Sequence, residues 1–159
     1  MSAIINAECL LYSTRYLISS YNNTTQSISS NTITAVNFNT DLVNTNWTTS
    51  RSNNTEYIAP VAGWYHVAFT VNYANTTGTG TSLNAFASIN GGTGTNRYGD
   101  VYVAEAPSGR STLSSFCVVQ LNANDYVQVY TLQSNASAQN IGSTTAYLQN
   151  KIVVDRLHE

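Results

Sequence analysis

The residues from Gly63 to Tyr73 alternate strictly between two sets of side chains. The first set is large and apolar and consists of Tyr65, Val67, Phe69, Val71 and Tyr73. The second set is mixed and consists of Trp64, His66, Ala68, Thr70 and Asn72. A repeat of two residues is that of a β-strand, because successive side chains of a strand point to opposite faces. The pattern therefore predicts a half-buried strand, which needs further strands to pair with it.

The rest of the chain is also typical of an all-β protein. Other stretches favour strands because they are rich in Val, Ile, Thr and Tyr: Cys9–Ser19, Ile33–Asn39, Ser82–Ile89, Tyr98–Ala104, Thr112–Leu121, Asp125–Gln133, Thr144–Gln149 and Lys151–Leu157. Polar stretches are predicted to be loops or turns: Ser20–Asn31, Asp41–Thr55, Asn75–Thr81 and Ser134–Ser143. About nine or ten strands without a helix predict a sandwich or jelly roll. We expect one domain over residues 9–159 and a short arm over residues 1–8.

The polarity of the chain comes from neutral groups. Asn, Thr and Ser make up 59 of 159 residues, whereas charged residues make up 9% and the net charge is −2. Nucleic acids and anionic membranes bind proteins through clustered Lys and Arg, so we expect neither as a partner. A hydrophobic content of 42% at low net charge also excludes a disordered chain.

A succession of residues along the chain carries a family resemblance. Phe38, Asn44, Tyr57, Ala59-Pro60, Gly63-x-Tyr65 and Phe69 follow one another, then Leu121–Val127 leads into a strand and Ile152–Leu157 closes the chain. Residues 10–157 thereby resemble the complement-q globular head and tumour-necrosis-factor-like (TNF-like) superfamily, which has viral and bacterial members. The resemblance implies a ten-stranded jelly-roll β-sandwich that assembles as a homotrimer. The chain lacks the terminal Phe-x-Gly-x-Leu of many members, which leaves the subfamily open.

Two tyrosines are candidates for the trimer interface. Tyr126 and Tyr130 alternate with Val127 and Val129, so they lie on the opposite face of their predicted strand. Tyrosine suits an interface because it buries a large area and keeps a hydrogen-bonding tip. We expect Tyr126 and Tyr130 in the interface; the alternative is that they are ordinary surface tyrosines.

Two other aromatic residues are candidates for contact with a carbohydrate. Trp47 and Tyr98 lie on or beside polar loops, where a ring can stack on a sugar and neighbouring amides can bind its hydroxyls. The alternative is that these rings plug the ends of the sandwich.

No residue pattern predicts an enzyme or a metal site. The chain lacks Gly-x-Ser-x-Gly, a Cys/His cluster and an Asp-x-Asp loop. His66 with Asp41 comes nearest to a catalytic pair, but a lone strand histidine is usually structural. Asp100 and Glu105 would face opposite sides of a strand, which disfavours paired-carboxylate chemistry; Asp100 is the least unfavourable calcium ligand. We therefore expect no catalysis, no metal and no cofactor.

The cysteines and the N-terminus give expectations about the compartment. Cys9 and Cys117 both lie in apolar stretches, which favours two buried free thiols over a single disulfide. The N-terminus lacks the basic start of a secretory signal, and no stretch approaches the ~20 apolar residues of a membrane span.

Together these features predict a non-enzymatic structural protein of a virus particle. We expect a trimeric capsid decoration (cement) or fibre-head protein at the virion surface, with a major capsid or tail protein as its partner. The alternative is a receptor- or carbohydrate-binding module, an adhesin or pattern-recognition head, located outside the cell or at its surface.

Overall fold

Strands account for all the regular structure in the residues that the computed structural model describes, which are 15–47, 54–76, 81–93, 96–106, 109–145 and 149–157. The strands are β1 (Leu17–Tyr21), β2 (Gln26–Ile28), β3 (Thr34–Ala35), β4 (Thr40–Thr45), β5 (Tyr57–Ile58), β6 (Gly63–Thr76), β7 (Thr81–Ile89), β8 (Arg97–Ala106), β9 (Gly109–Leu121), β10 (Tyr126–Gln133), β11 (Gln139–Ile141) and β12 (Lys151–Arg156). No helix long and apolar enough to cross a membrane occurs among the described residues.

The strands form two antiparallel sheets that pack face to face. The larger, sheet A, has seven strands, and its body runs in the order β9-β6-β12-β1-β4. Short strands β11 and β2 extend sheet A beyond the end of β12. The smaller, sheet B, runs in the order β3-β10-β7-β8, with β5 also paired to β10. This is the predicted two-sheet jelly roll, with short strands added to the ten that were expected.

Strand β6 is the centre of sheet A and confirms the alternation seen in the sequence. Its large apolar residues, Tyr65, Val67, Phe69, Val71 and Tyr73, are all buried between the sheets. The alternate residues therefore point away from the core, because successive strand side chains take opposite faces. Strand β9 pairs with one side of β6 over most of its length and β12 pairs with the other.

Phe38, Tyr57 and Tyr65, which carry part of the family resemblance, lie in the core together with Trp47. Phe38 packs edge-on against Tyr57 with ring centroids 6.1 Å apart, and Trp47 packs edge-on against Tyr65 at 5.9 Å. All four rings are buried. Edge-to-face pairs of this kind add to the stabilisation from burial, so these positions hold one end of the sandwich together.

Three short strands lie where the sequence predicted loops. Strand β2 lies within the predicted loop Ser20–Asn31, and β11 lies within Ser134–Ser143. Strand β4 begins at Thr40 and overlaps the predicted loop Asp41–Thr55. Among the described residues strand β4 pairs with β1 alone, and most of its side chains are exposed and show no hydrophobic alternation. Thr144–Gln149 was predicted to be a strand, but residues 144, 145 and 149 are not in one, and 146–148 lie outside the described residues.

A buried group of amides joins the ends of several strands of sheet A. The Asn72 backbone N–H donates to Oδ1 of Asn150 at 2.8 Å, and the Asn22 N–H donates to the Asn150 carbonyl at 3.0 Å. Gly142 lies beside this group with a φ of +68°, where an added Cβ would meet the Asn150 side-chain amide and the Thr24 carbonyl at 3.0 Å each. The asparagines therefore act as internal connectors here, because buried polar groups need partners.

Candidate functional site

The outward face of sheet A carries a continuous row of mostly apolar side chains across five strands. In the pairing register this row runs Phe116 (β9), Ala68 (β6), Val153 (β12), Ser19 (β1) and Val43 (β4). Adjacent strands lie about 4.8 Å apart, so the row spans roughly 20 Å from the first strand to the last. We call this surface, with the neighbouring outward residues of the same strands, the sheet A face.

Large apolar groups on the sheet A face are open to solvent. Phe116 is 68% exposed, Val118 is 48% exposed and Trp64 is 43% exposed. Val43 and its neighbour Leu42 on β4 are exposed as well. A soluble chain rarely leaves a contiguous apolar patch uncovered, so a patch of this kind marks an interaction surface.

Between β9, β6 and β12 the sheet A face forms a shallow apolar hollow of about 480 Å³. Its outward lining includes His66, Ala68, Thr70, Ser114, Phe116, Lys151 and Val153. The hollow is open to solvent along its length.

Strand β9 is held in place by a close approach from sheet B. Gly99 of β8 has a φ of +58°, and an added Cβ there would come within 2.9 Å of the Phe116 carbonyl oxygen. Glycine permits this contact because it has no Cβ and tolerates positive φ. The Phe116 backbone is therefore fixed while its ring points outward.

Near the middle of the sheet A face the charges lie on β12 and just before β1, while Arg110 lies at the far end of β9. Arg15 forms an ion pair with Asp155 at 3.1 Å, and Lys151 is exposed at the opposite end of β12. His66 lies opposite Asp155 in the register, and its ring lies 5.8 Å from the ring of Phe116. The imidazole of His66 thus borders one of the most exposed apolar side chains.

The tyrosines expected at the trimer interface lie on the outward face of sheet B. Tyr130 stacks on Phe86 with ring centroids 5.7 Å apart and is 8% exposed, and its hydroxyl donates to Oε1 of Gln128 at 2.6 Å. Burial raises its pKa above the ordinary value. Tyr126 is half-buried, with its hydroxyl against Gly91. Tyr130 therefore has little free surface left, whereas part of Tyr126 remains accessible.

Of the two residues predicted to contact a carbohydrate, Trp47 is buried and Tyr98 is half-buried. Trp47 is 4% exposed and packs on Tyr65, and its indole N–H has no partner among the described residues. Tyr98 is half-buried and packs against the core. A buried ring offers no open face to a sugar, so the structure places Trp47 where the alternative expected it, at the end of the sandwich.

The structure does not bring the candidate catalytic residues together. His66 on β6 and Asp41 on β4 are separated by two intervening strands, and Asp41 accepts a hydrogen bond from Ser20 at 2.7 Å. Asp100 pairs with Arg97 at 3.5 Å and accepts a short hydrogen bond from the Asn84 amide. Among the described residues no three His, Cys, Asp or Glu side chains are grouped as a metal site.

Cys117 is a free thiol that points toward the core from β9. Burial raises its pKa to about 11, so the thiol stays protonated and unreactive at neutral pH. Cys9 lies outside the described residues.

Sequence reasoning missed Phe116 and Val118 as surface residues, although β9 contained a signal. Phe116, Cys117, Val118 and Val119 are four consecutive apolar residues, so both faces of this stretch are apolar. A strand with two apolar faces is normally covered by other parts of the protein on both sides. One face meets the core, and the other is the sheet A face.

Solved structures of similar architecture cover nearly the whole chain. The globular domain of zebrafish complement 1qA matches with a TM-score of 0.62 at 14% identity, over 91% of this chain and 98% of that one. Murine APRIL matches with a TM-score of 0.63 at 13% identity, over 90% and 99%. Eiger TNF from S. frugiperda matches with a TM-score of 0.57 at 11% identity, over 91% and 92%.

The fold is a C1q/TNF-like jelly roll. This confirms the resemblance inferred from the aromatic succession and from the strand order. No protein-family profile matches the chain. No curated protein matches it either. What the C1q/TNF-like jelly roll shares with its structural neighbours at this level of identity is the architecture.

Proposed function

We propose that this chain is a non-enzymatic, self-assembling head that forms a homotrimer through the sheet A face. The observation that carries the proposal is the exposed apolar row led by Phe116 on a sparsely charged, amide-rich and hydroxyl-rich protein. The trimeric state is what the resemblance implies, and the sheet A face gives it a physical basis. A second copy is the occupant that matches this face, because an apolar surface with few charges fits another surface of the same character.

The size of the sheet A face supports a stable contact. A standard interface buries roughly 800 Å² on each partner, so the contact would extend across all five adjacent strands. Burying a phenylalanine or valine side chain contributes about 1.5–3 kcal/mol. Phe116, Val118 and Trp64 are already partly buried, so each would contribute part of this amount, and the ordering costs of association offset some of it.

The mass of the protein in solution tests the trimer. Light scattering coupled to size-exclusion chromatography at micromolar concentration should give about three times the chain mass of 17.2 kDa at neutral pH. A species at the single-chain mass would overturn the proposal.

We further propose that the trimer is displayed on the surface of a virus particle, as a capsid decoration or fibre-head protein. The support is compositional: 9% charged residues make an exterior that hydrogen-bonds water and attracts few charged partners. A major capsid or tail protein would be the partner. Mass spectrometry of purified particles from the source virus tests this, and absence of the chain from the particles would remove it.

A receptor- or carbohydrate-binding module remains the second candidate, and one observation favours it. Tyr102 is 63% exposed on the outward face of sheet B, beside Asn84 in the register and two residues from Asp100. An open aromatic ring next to an amide and a carboxylate has the chemistry of a sugar contact. A glycan array tests it with the wild type and Tyr102→Ala. Binding that Tyr102→Ala abolishes supports the module, and no binding by either protein removes it.

A further inference from the structure

We propose that Asn90 is a modification site at which water slowly converts the side-chain amide into a carboxylate, and that Asp125 holds this reaction back in the folded chain. The reactive pair is Asn90-Gly91, the only Asn-Gly pair in the sequence. An asparagine followed by glycine loses its amide readily, because glycine has no Cβ to shield its backbone nitrogen. The inference is independent of the proposed trimer, since it concerns one end of sheet B.

The reaction takes place between neighbouring atoms of the chain. The backbone nitrogen of Gly91 attacks Cγ of Asn90, so that a C–N bond forms and closes a cyclic imide. The bond between Cγ and Nδ2 breaks, and Nδ2 leaves as ammonia with the proton that the Gly91 N–H gives up. Water then opens the ring. Attack at Cγ gives aspartate, whereas attack at the backbone carbonyl of residue 90 gives isoaspartate.

The fold requires this labile pair in the turn that follows β7. Asn90 has a φ of +53° and Gly91 a φ of +75°. The N–H of Gly92 donates to the carbonyl of Ile89 at 3.2 Å and closes the turn. Positive φ at both central residues is the pattern of the type I′ turn, which favours Asn-Gly. The conformation of the backbone therefore accounts for a pair that is chemically vulnerable.

The side chain of Asn90 is bonded to the beginning of β10. Its Nδ2 donates to Oδ1 of Asp125 at 2.8 Å, and its Oδ1 accepts from the backbone N–H of Tyr126 at 3.0 Å. Gly91 leads in the other direction, toward β8, because β7 lies between β10 and β8 in sheet B. The side chain must leave both partners before Cγ can turn to the Gly91 nitrogen. We therefore expect the folded chain to react slowly.

Asp125 is a well-held partner for the Asn90 amide. Its Oδ2 accepts from the backbone N–H and the side-chain amide of Asn122, at 2.7 and 3.1 Å. The hydrogen bonds from Asn90 and Asn122 lower the pKa of this carboxyl, so it is ionised at neutral pH. A hydrogen bond to an ionised acceptor is stronger than one between neutral groups. The contact with Asp125 is thus the one whose loss should release Asn90 most.

Conversion of Asn90 removes a donor and adds a negative charge. The new carboxylate would face Asp125 at the place where Nδ2 now lies 2.8 Å from it. Two like charges at this distance repel each other, so the contact cannot form again. Isoaspartate also lengthens the backbone of the turn by a methylene group. The modification is therefore irreversible, and it loosens sheet B where β7 ends and β10 begins.

Peptide mapping by mass spectrometry tests the site and the role of Asp125. Wild type is incubated at pH 8 both folded and in urea, and aspartate and isoaspartate at position 90 are measured over time. Asn90 should convert in urea and more slowly in the folded chain. Folded Asp125→Ala should convert about three- to tenfold faster than folded wild type, as expected for the loss of one hydrogen bond. Asn122→Ala is the matched control, since it leaves the contact between Asn90 and Asp125 in place.

A pair of variants tests the effect of the product. Asn90→Asp should unfold at a lower urea concentration than the wild type, because it places two carboxylates together. Adding Asp125→Asn to this variant should restore the midpoint, since the introduced amide can donate to the introduced carboxylate. Near-ultraviolet circular dichroism confirms that each variant is folded before its rate is measured. If Asp125→Ala folds poorly, this restoration tests the contact in its place.

Three results would overturn the proposal. An Asn90 that stays intact in the urea-unfolded chain would exclude the modification site. Equal rates in the folded and the unfolded wild type would exclude protection by the fold. Equal rates in folded Asp125→Ala and folded wild type would exclude the role of Asp125.

Discussion

Phe116 and Cys117 are adjacent in the chain and point to opposite sides of sheet A. The Cys117 thiol packs against the core, while the Phe116 ring is 68% exposed on the outward face. Alternation along β9 makes this unavoidable, because turning Phe116 inward would turn Cys117 and Val119 out. The exposure of Phe116 is thus built into the register of the sheet.

Replacing Phe116 with aspartate should prevent assembly. The charge would be buried without a partner at the contact, so Phe116→Asp should weaken the trimer by at least about 100-fold. Tyr102→Asp is the matched control, since Tyr102 is equally open but lies on sheet B. Light scattering should show the chain mass for the first variant and the trimer for the second. The reverse result would place the contact on sheet B.

Replacing Tyr130 should affect stability and leave assembly intact. Tyr130→Ala removes the ring stacked on Phe86 and should lower the free energy of unfolding by about 3 kcal/mol in a urea titration. Tyr126→Ser removes a half-buried ring and should lower it by less, with the trimer mass unchanged. If Tyr126→Ser abolished the trimer without altering unfolding, the interface expected from the sequence would be the right one.

The two tryptophans should respond very differently to truncation. Trp47→Ala empties a core position beside Tyr65 and should lower the free energy of unfolding by about 3–5 kcal/mol. Trp64→Ala removes a partly exposed ring and should cost less than about 1 kcal/mol. Both are best measured by chemical unfolding in a Phe116→Asp background, where assembly does not contribute. A stable Trp47→Ala protein would argue against the core role of Trp47 and reopen its role in sugar binding.

Strong alkali should destabilise the protein partly through Tyr73. Burial raises the pKa of Tyr73 to about 12, against 10.0 for a free tyrosine, and its hydroxyl lies 2.8 Å from that of Thr131. Because the folded state holds this proton more tightly, its contribution is complete below pH 10 and is lost as the pH rises toward 12. The loss is on the order of 2–3 kcal/mol. Urea titrations at several pH values should show a smaller decline for Tyr73→Phe, and an equal decline would exclude Tyr73 as the source.

The sequence predicted the parts of the fold that depend on local alternation. Strand β6 is the clearest case, since Val67 and Phe69 lie in the core as its pattern required. Strand β4 was not predicted because its residues are mostly exposed and carry no apolar period. The position of Trp47 was open to two interpretations, because a polar stretch does not show whether the ring within it points inward.

The candidate site was harder to predict for a different reason. The residues of the sheet A face come from five strands spread along the chain, and their order in the sheet does not follow their order in the sequence. The four consecutive apolar residues that end at Val119 indicated that both faces of β9 are covered. They did not indicate which of the two faces meets the core. That choice depends on the register of β9 against β6, which is a tertiary property.

The row from Phe116 to Val43 cannot form early in the synthesis of the chain. Ser19 and Val153 are neighbours in this row although most of the sequence separates them. The row is interrupted until β12 has been made, because β12 lies between β6 and β1 in the sheet. A chain in which β12 is not yet in place therefore lacks the continuous surface. We expect the proposed trimer to exclude chains that are truncated before β12.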